Sequence, residues 1–144
     1  MMDKLEKLEK LAECCLYDIY NMEITIVRYQ MMIKLLDEQF ISEKIMCLNS
    51  KEVYIYGGGY LGIQLFHVIK NITCVPAIVD KSGELITNAP SIKVISPGEL
   101  KEIYNNQKII ITPLTFYREI YNELSTFIPK ENLIHLEELL GGML

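Results

Sequence analysis

The chain has 144 residues, half of them hydrophobic and 23% charged, a length that suits one domain with an extension and a composition that excludes wholesale disorder. The formal net charge of −5, with only two arginines (Arg28 and Arg118) and no lysine cluster, excludes the basic stripe that nucleic-acid binding needs. The N-terminus alternates Lys and Glu with Leu instead of building a signal sequence, and no run approaches the roughly 18 apolar residues of a membrane span, so a cytoplasmic protein is expected.

Residues 3 to 48 contain neither glycine nor proline, and Leu5, Leu8, Ala12, Cys15, Ile19, Met22, Ile26, Tyr29, Ile33, Leu36 and Phe40 follow a 3-4 spacing. Five heptads of this kind predict helix packed on helix. The partner is either a second copy, giving a homodimer, or the chain itself in a hairpin lying on the second half. Leu11, Leu16, Ile24 and Met32 widen the stripe beyond a two-stranded seam. Asn21 and Thr25, with their lower helix propensity, are expected to mark a bend. Asn49-Ser50 is the expected boundary between a helical extension, 1–49, and an α/β domain, 50–144.

Past that boundary the period changes. Lys51 to Tyr56 is β-branched and aromatic and predicts a strand, and Leu61, Leu65, Val68 and Ile69 predict a helix over 60–70. Between them lies Gly57-Gly58-Gly59-Tyr60-Leu61-Gly62, which fits G-x-G-x-x-G; a second strand, 73–80, ends in Asp80. Strand, glycine turn, helix, strand and terminal acid in this order carry much more weight than the glycines alone. Gly57 permits the sharp turn, Gly59 the close approach of backbone to a pyrophosphate, and Gly62 the packing of helix on strand. The N–H groups at the helix start then face phosphate, and Asp80 is expected to accept hydrogen bonds from a ribose diol, favouring NAD over NADP.

The remaining elements are an irregular stretch 81–96, helix 97–106, strand 108–112, helix 114–127 and a short strand 132–136. Ser96-Pro97-Gly98-Glu99 is a capping box. Thr112-Pro113 is expected to start the next helix in the same way, and Thr112 sits past a strand's carboxyl end, where open α/β sheets gather ligand contacts. The alternation predicts a Rossmann-like parallel sheet of about four to five strands with helices on both faces.

Little else carries chemistry. Tyr104 and Lys108 make a formal Y-x-x-x-K, but Asn105-Asn106 ends the helix between them, so the lysine cannot serve the tyrosine from one helical turn away. His67 and His135 lack a nearby nucleophile and are expected as partly buried structural residues. Ser42, Ser125 and Thr126 lie outside any nucleophile elbow, Arg118 falls on a solvated helix face, and no Walker lysine follows the glycines. Cys14, Cys15, Cys47 and Cys74 form no C-x-x-C pair and have no His at ligand spacing, so no metal site is expected and they are read as small core residues of a reducing compartment.

Tyr54 to Gly62, Ala77 to Asp80 and Val94 to Leu100 together resemble the small Rossmann-like modules of bacterial sugar-modifying proteins. Examples are the N-terminal nucleotide-sugar-binding domain of sialic-acid-type sugar O-acyltransferases and NAD(P)-binding-like domains attached to glycosyltransferases and methyltransferases of surface-polysaccharide pathways. The resemblance spans about three-fifths of the chain and implies that Gly57, Gly59, Gly62 and Asp80 line a nucleotide site. The hexapeptide repeats that carry catalysis in the acyltransferases do not occur in the sequence. Without a paired acid, base or nucleophile, the expectation is a module that binds NAD or a nucleotide-sugar through Gly57, Gly58, Gly59, Tyr60, Leu61, Gly62, Asp80 and Thr112 and has no catalysis of its own. The alternatives are an oxidoreductase or sugar-nucleotide-modifying enzyme completed at a subunit interface, and a scaffold that binds no nucleotide.

Overall fold

The computed structural model describes residues 3–87 and 91–141, apart from the side chains of residues 13–21, 28, 29 and 32. Five strands, β1 Val53–Tyr56, β2 Ile78–Val79, β3 Val94–Ile95, β4 Lys108–Ile111 and β5 Leu133–His135, form one parallel sheet in the spatial order β3-β2-β1-β4-β5. The helices are α1 Lys4–Lys34, α2 Glu38–Cys47, α3 Tyr60–Ile69, α4 Pro97–Ile103, α5 Tyr117–Leu124 and α6 Leu136–Leu139. The expected α/β architecture is therefore present, and the strand order reverses between β1 and β4. Open parallel sheets hold ligands at such a switch point, outside the carboxyl ends of the strands.

Strand alternation sorts the core into two layers. Tyr54, Tyr56, Val79, Ile109 and Ile111 face Leu100 of α4 and Leu124 of α5. Val53, Ile55, Ile78 and Ile110 face Met31 of α1, Ile41 and Ile45 of α2, Leu65 of α3 and Leu136 of α6. Ile109, Ile110 and Ile111 are all fully buried, as expected of a central parallel strand covered on both faces. Each such side chain contributes about 1.5–3 kcal/mol through its burial.

The extension is only partly separate from this core. Met31 in the last turn of α1 and Leu35 at its C-cap are fully buried with the sheet, and Lys34 Nζ donates to the Leu140 carbonyl at 3.1 Å. Elsewhere on α1, Leu5, Leu8, Leu11, Met22, Ile26 and Ile33 are each more than half exposed. The heptad side chains of Cys15, Ile19 and Tyr29 lie outside the described residues. Helix α1 runs unbroken through Asn21 and Thr25, contrary to the expected bend. The break falls after Leu35, where the Asp37 carboxylate accepts from Phe40 N at 3.1 Å and caps α2. Asn49, with φ 49°, then turns the chain into the sheet. Among the described residues no helix is long and apolar enough to cross a membrane.

Other departures have local causes. Strand β2 shrinks to two residues because Pro76 has no N–H for the ladder; only a bridge between Glu52 and Cys74 precedes it. The stretch read as irregular contains β3, which pairs with β2. Cys47 and Cys74 are exposed free thiols, not core residues. The Ser96 capping box is formed as expected, with Ser96 Oγ accepting from Glu99 N at 3.1 Å.

Candidate nucleotide site at the switch point

Gly57 leaves β1 at φ +117° and donates its N–H to the Val79 carbonyl at 2.8 Å. A Cβ here would overlap Thr112 Oγ1, and one on Gly62 would overlap the Gly57 carbonyl, so both glycines serve close packing within the chain. Gly58 is enclosed as well. Its N–H donates to Asp80 Oδ2 at 2.7 Å, its carbonyl accepts from Ile86 N at 2.8 Å, and a Cβ would come within 2.8 Å of the Glu84 carbonyl. Gly59 differs from all three. It has an ordinary φ of −82°, nothing lies within 4 Å of its Cβ position, and it caps α3 without a side-chain acceptor.

The first intrahelical bond of α3 runs from Ile63 N to the Gly59 carbonyl at 3.0 Å. The N–H groups of Tyr60, Leu61 and Gly62 therefore precede the ladder and carry the partial positive charge of the helix start. They border a cleft of about 670 Å³ lined by residues 57–62, Asp80, Ile86, residues 112–115 and Thr25 of α1. The volume falls within the range of small-molecule sites. Its described lining contains no Lys, Arg or His, so backbone dipoles are what it offers an anion. Tyr60 and Ile86 at its rim are 63% and 55% exposed, leaving apolar surface for a ring.

All eight residues expected at the site line this cleft, yet Thr112 and Asp80, like Gly57, Gly58 and Gly62, have internal tasks. Thr112 does not cap a helix. Its hydroxyl and its N–H both donate to the Tyr56 carbonyl, at 2.9 and 3.0 Å, which ties β4 to β1 beneath the glycine turn. Helix α5 starts only at Tyr117, after Phe116 at φ 62°. Asp80 accepts from Ser82 N and Ser82 Oγ on Oδ1, at 2.9 and 2.6 Å, in addition to Gly58 N on Oδ2, so both carboxylate oxygens are engaged within the chain. Thr25, Ile86, Pro113, Leu114 and Thr115 were not expected. The last three follow from position past a strand end, but nothing local in the sequence brings Thr25 or Ile86 here.

Other titratable groups lie elsewhere. Burial, with the negative charges of Glu123 and Asp80, pushes the Tyr56 phenol up to about 12 and keeps it neutral in the face opposite α3. His67 is exposed on α3, not partly buried. His135 ends β5, meets the Tyr117 ring edge-on at 4.3 Å and caps α6 by accepting Glu137 N on Nδ1 at 3.3 Å. Burial lowers its pKa, opposed by Glu137, the Pro113 carbonyl and Glu138. Tyr104 donates to the Gln107 carbonyl while Lys108 Nζ reaches the Glu131 carbonyl, so that pair shares no helix. The hydroxyls of Ser125 and Thr126 bond locally to Asn122 and Glu123 carbonyls, and Arg118 is exposed outside the cleft lining.

Comparison with known protein families, curated proteins and solved structures finds no match, and the site rests on its own geometry.

Proposed function

We propose that this chain is a nucleotide-binding module, holding NAD or a nucleotide-sugar at the switch point and having no catalysis of its own. The observation that carries the proposal is the open surround of Gly59 beside the uncapped start of α3, facing a cleft of about 670 Å³. Phosphate oxygens fit where the helix dipole and the free N–H groups converge, and Tyr60 and Ile86 supply apolar surface for a base or nicotinamide ring. The resemblance to modules of bacterial sugar-modifying proteins supports a cytoplasmic role in sugar or polysaccharide metabolism. The described lining brings no nucleophile together with a base, which favours binding over reaction.

A homodimer through α1 belongs to the same proposal. Leu5, Leu8, Met22, Ile26 and Ile33 keep the heptad spacing along an exposed face, and a second copy presents the same stripe.

A thermal-shift screen against NAD, NADP, NADH, ATP and UDP-, CDP- and GDP-sugars tests the binding. At least one should raise Tm progressively as its concentration exceeds Kd, and no shift with any of them contradicts the proposal. Turnover of the bound compound would favour an enzyme instead.

A further inference from the structure

Asp80 sits where a β2-terminal acid is expected to meet a ribose, but the chain has engaged both of its carboxylate oxygens. Its carboxylate accepts three hydrogen bonds, from Gly58 N at 2.7 Å, Ser82 N at 2.9 Å and Ser82 Oγ at 2.6 Å. The turn that begins at Asp80 closes through Gly83 N to the Asp80 carbonyl at 3.1 Å and returns to donate Ile86 N to the Gly58 carbonyl at 2.8 Å. One turn thus grips the Gly58 residue by both its N–H and its C=O. The β2 side of the glycine turn is also filled sterically, because a Cβ on Gly58 would meet Glu84 O at 2.8 Å and Leu85 Cδ2 at 3.2 Å. The cleft opens at Gly59, with Asp80 and Ile86 on its β2 side and residues 112–115 on the other.

We propose that Asp80 is a positioning residue and not a ligand contact: it locks Gly58 so that Gly59 and the first turn of α3 are held facing the cleft. Charge-assisted hydrogen bonds to a carboxylate are shorter and stronger than neutral ones, which suits a residue that fixes backbone. On this reading a ligand is gripped through its phosphates on the Gly59 side, and Asp80, with three of its roughly four acceptor positions already taken, does not read its ribose hydroxyls. The ligand consequence rests on the nucleotide reading above; the lock does not.

Two measurements on the full chain separate these. In the ligand-free protein, hydrogen exchange followed by NMR should find the Gly58 amide protected, and Asp80→Asn should speed its exchange by about tenfold or more, because the charge is lost and one of the two engaged oxygens becomes an NH2 that cannot accept. Ser82→Ala, which removes one donor and keeps the carboxylate, should speed it less. An unprotected Gly58 amide in the parent overturns the lock, even where Asp80→Asn fails to fold, and so does exchange left unchanged by a folded Asp80→Asn. Calorimetric titration with UDP, ADP and their 2′-deoxy counterparts gives the second result. Ribo and deoxy forms should bind within about threefold of each other, and Asp80→Asn should weaken both alike, because no ligand hydroxyl bond is at stake. A tenfold or greater preference for the ribo form that vanishes in Asp80→Asn overturns the proposal. If none of the four binds while the Gly58 amide is protected, the lock stands and the nucleotide reading falls.

Discussion

The two flanks of the glycine turn differ in what fills them. Towards β2, Gly58 is pinned by Asp80 and Ile86 and covered by Glu84 and Leu85. Towards β4, Thr112 supports the floor from below, and at Gly59 nothing of the chain lies within 4 Å of a Cβ position. Three of the four glycines are thus needed by the chain's own packing, and one is left for something else. A G-x-G-x-x-G match reports mainly on the turn; the open surround of Gly59 is the part that bears on a ligand.

Alanine substitution sharpens this contrast most strongly. Gly62→Ala forces a Cβ into the Gly57 carbonyl, a backbone atom with little freedom to move, and should lower unfolding stability by about 3 kcal/mol or more. Gly57→Ala combines a positive φ with overlap on Thr112 Oγ1 and should cost about 2–3 kcal/mol. Gly59→Ala meets neither obstacle and should stay within about 1 kcal/mol of the parent. Urea unfolding midpoints at constant m-value provide the order, and equal losses at Gly59 and Gly62 would erase the distinction.

The stripe on α1 offers a different break. Replacing Met22 and Ile26 by glutamate should turn a dimer into a monomer in light scattering while leaving the fold intact, because both side chains are exposed in the single chain. An unchanged mass would remove the homodimer.

Two pH dependences of opposite sign come next. The Tyr56 phenol is raised from 10.0 to about 12 in the fold, chiefly by burial, so the unfolded chain ionises first. Stability should be flat with respect to this group below pH 10 and fall as pH rises from 10 towards about 12, and Tyr56→Phe should flatten that fall. His135 is lowered from 6.5, again chiefly by burial, so the unfolded chain takes the proton first. Its contribution is complete above pH 6.5 and declines as pH falls below it; His135→Asn, which keeps a capping acceptor for α6, should flatten the decline. Denaturant titrations across each window would expose a wrong sign.

What the sequence disclosed follows the range of each interaction. The β1 turn, the start of α3, the Ser96 capping box and the triple isoleucine of β4 depend on neighbours a few residues apart and were legible. Strand β3 was not, because two residues become a strand only by pairing with β2. Thr112-Pro113 looked like a helix start until the Thr112 hydroxyl found a carbonyl 56 residues away. Asp80 follows β2 as the sequence predicts, but its partners are only half readable there: Ser82 is two residues away, whereas Gly58 lies past the end of the neighbouring strand β1. The Asp37 cap was a readable signal, and Thr25 reaches the cleft only through the packing of a whole helix.

The most direct test compares the parent with Gly59→Val by calorimetric titration against NAD and a UDP-sugar, with melting curves of both proteins recorded alongside. Gly59 has free space and an ordinary φ, so the variant should fold with a similar Tm while its side chain occupies the position proposed for the phosphate. The account predicts binding by the parent and none, or at least about a hundredfold weaker binding, by a folded Gly59→Val, a loss of about 2.7 kcal/mol. Equal affinity in the two proteins would contradict it.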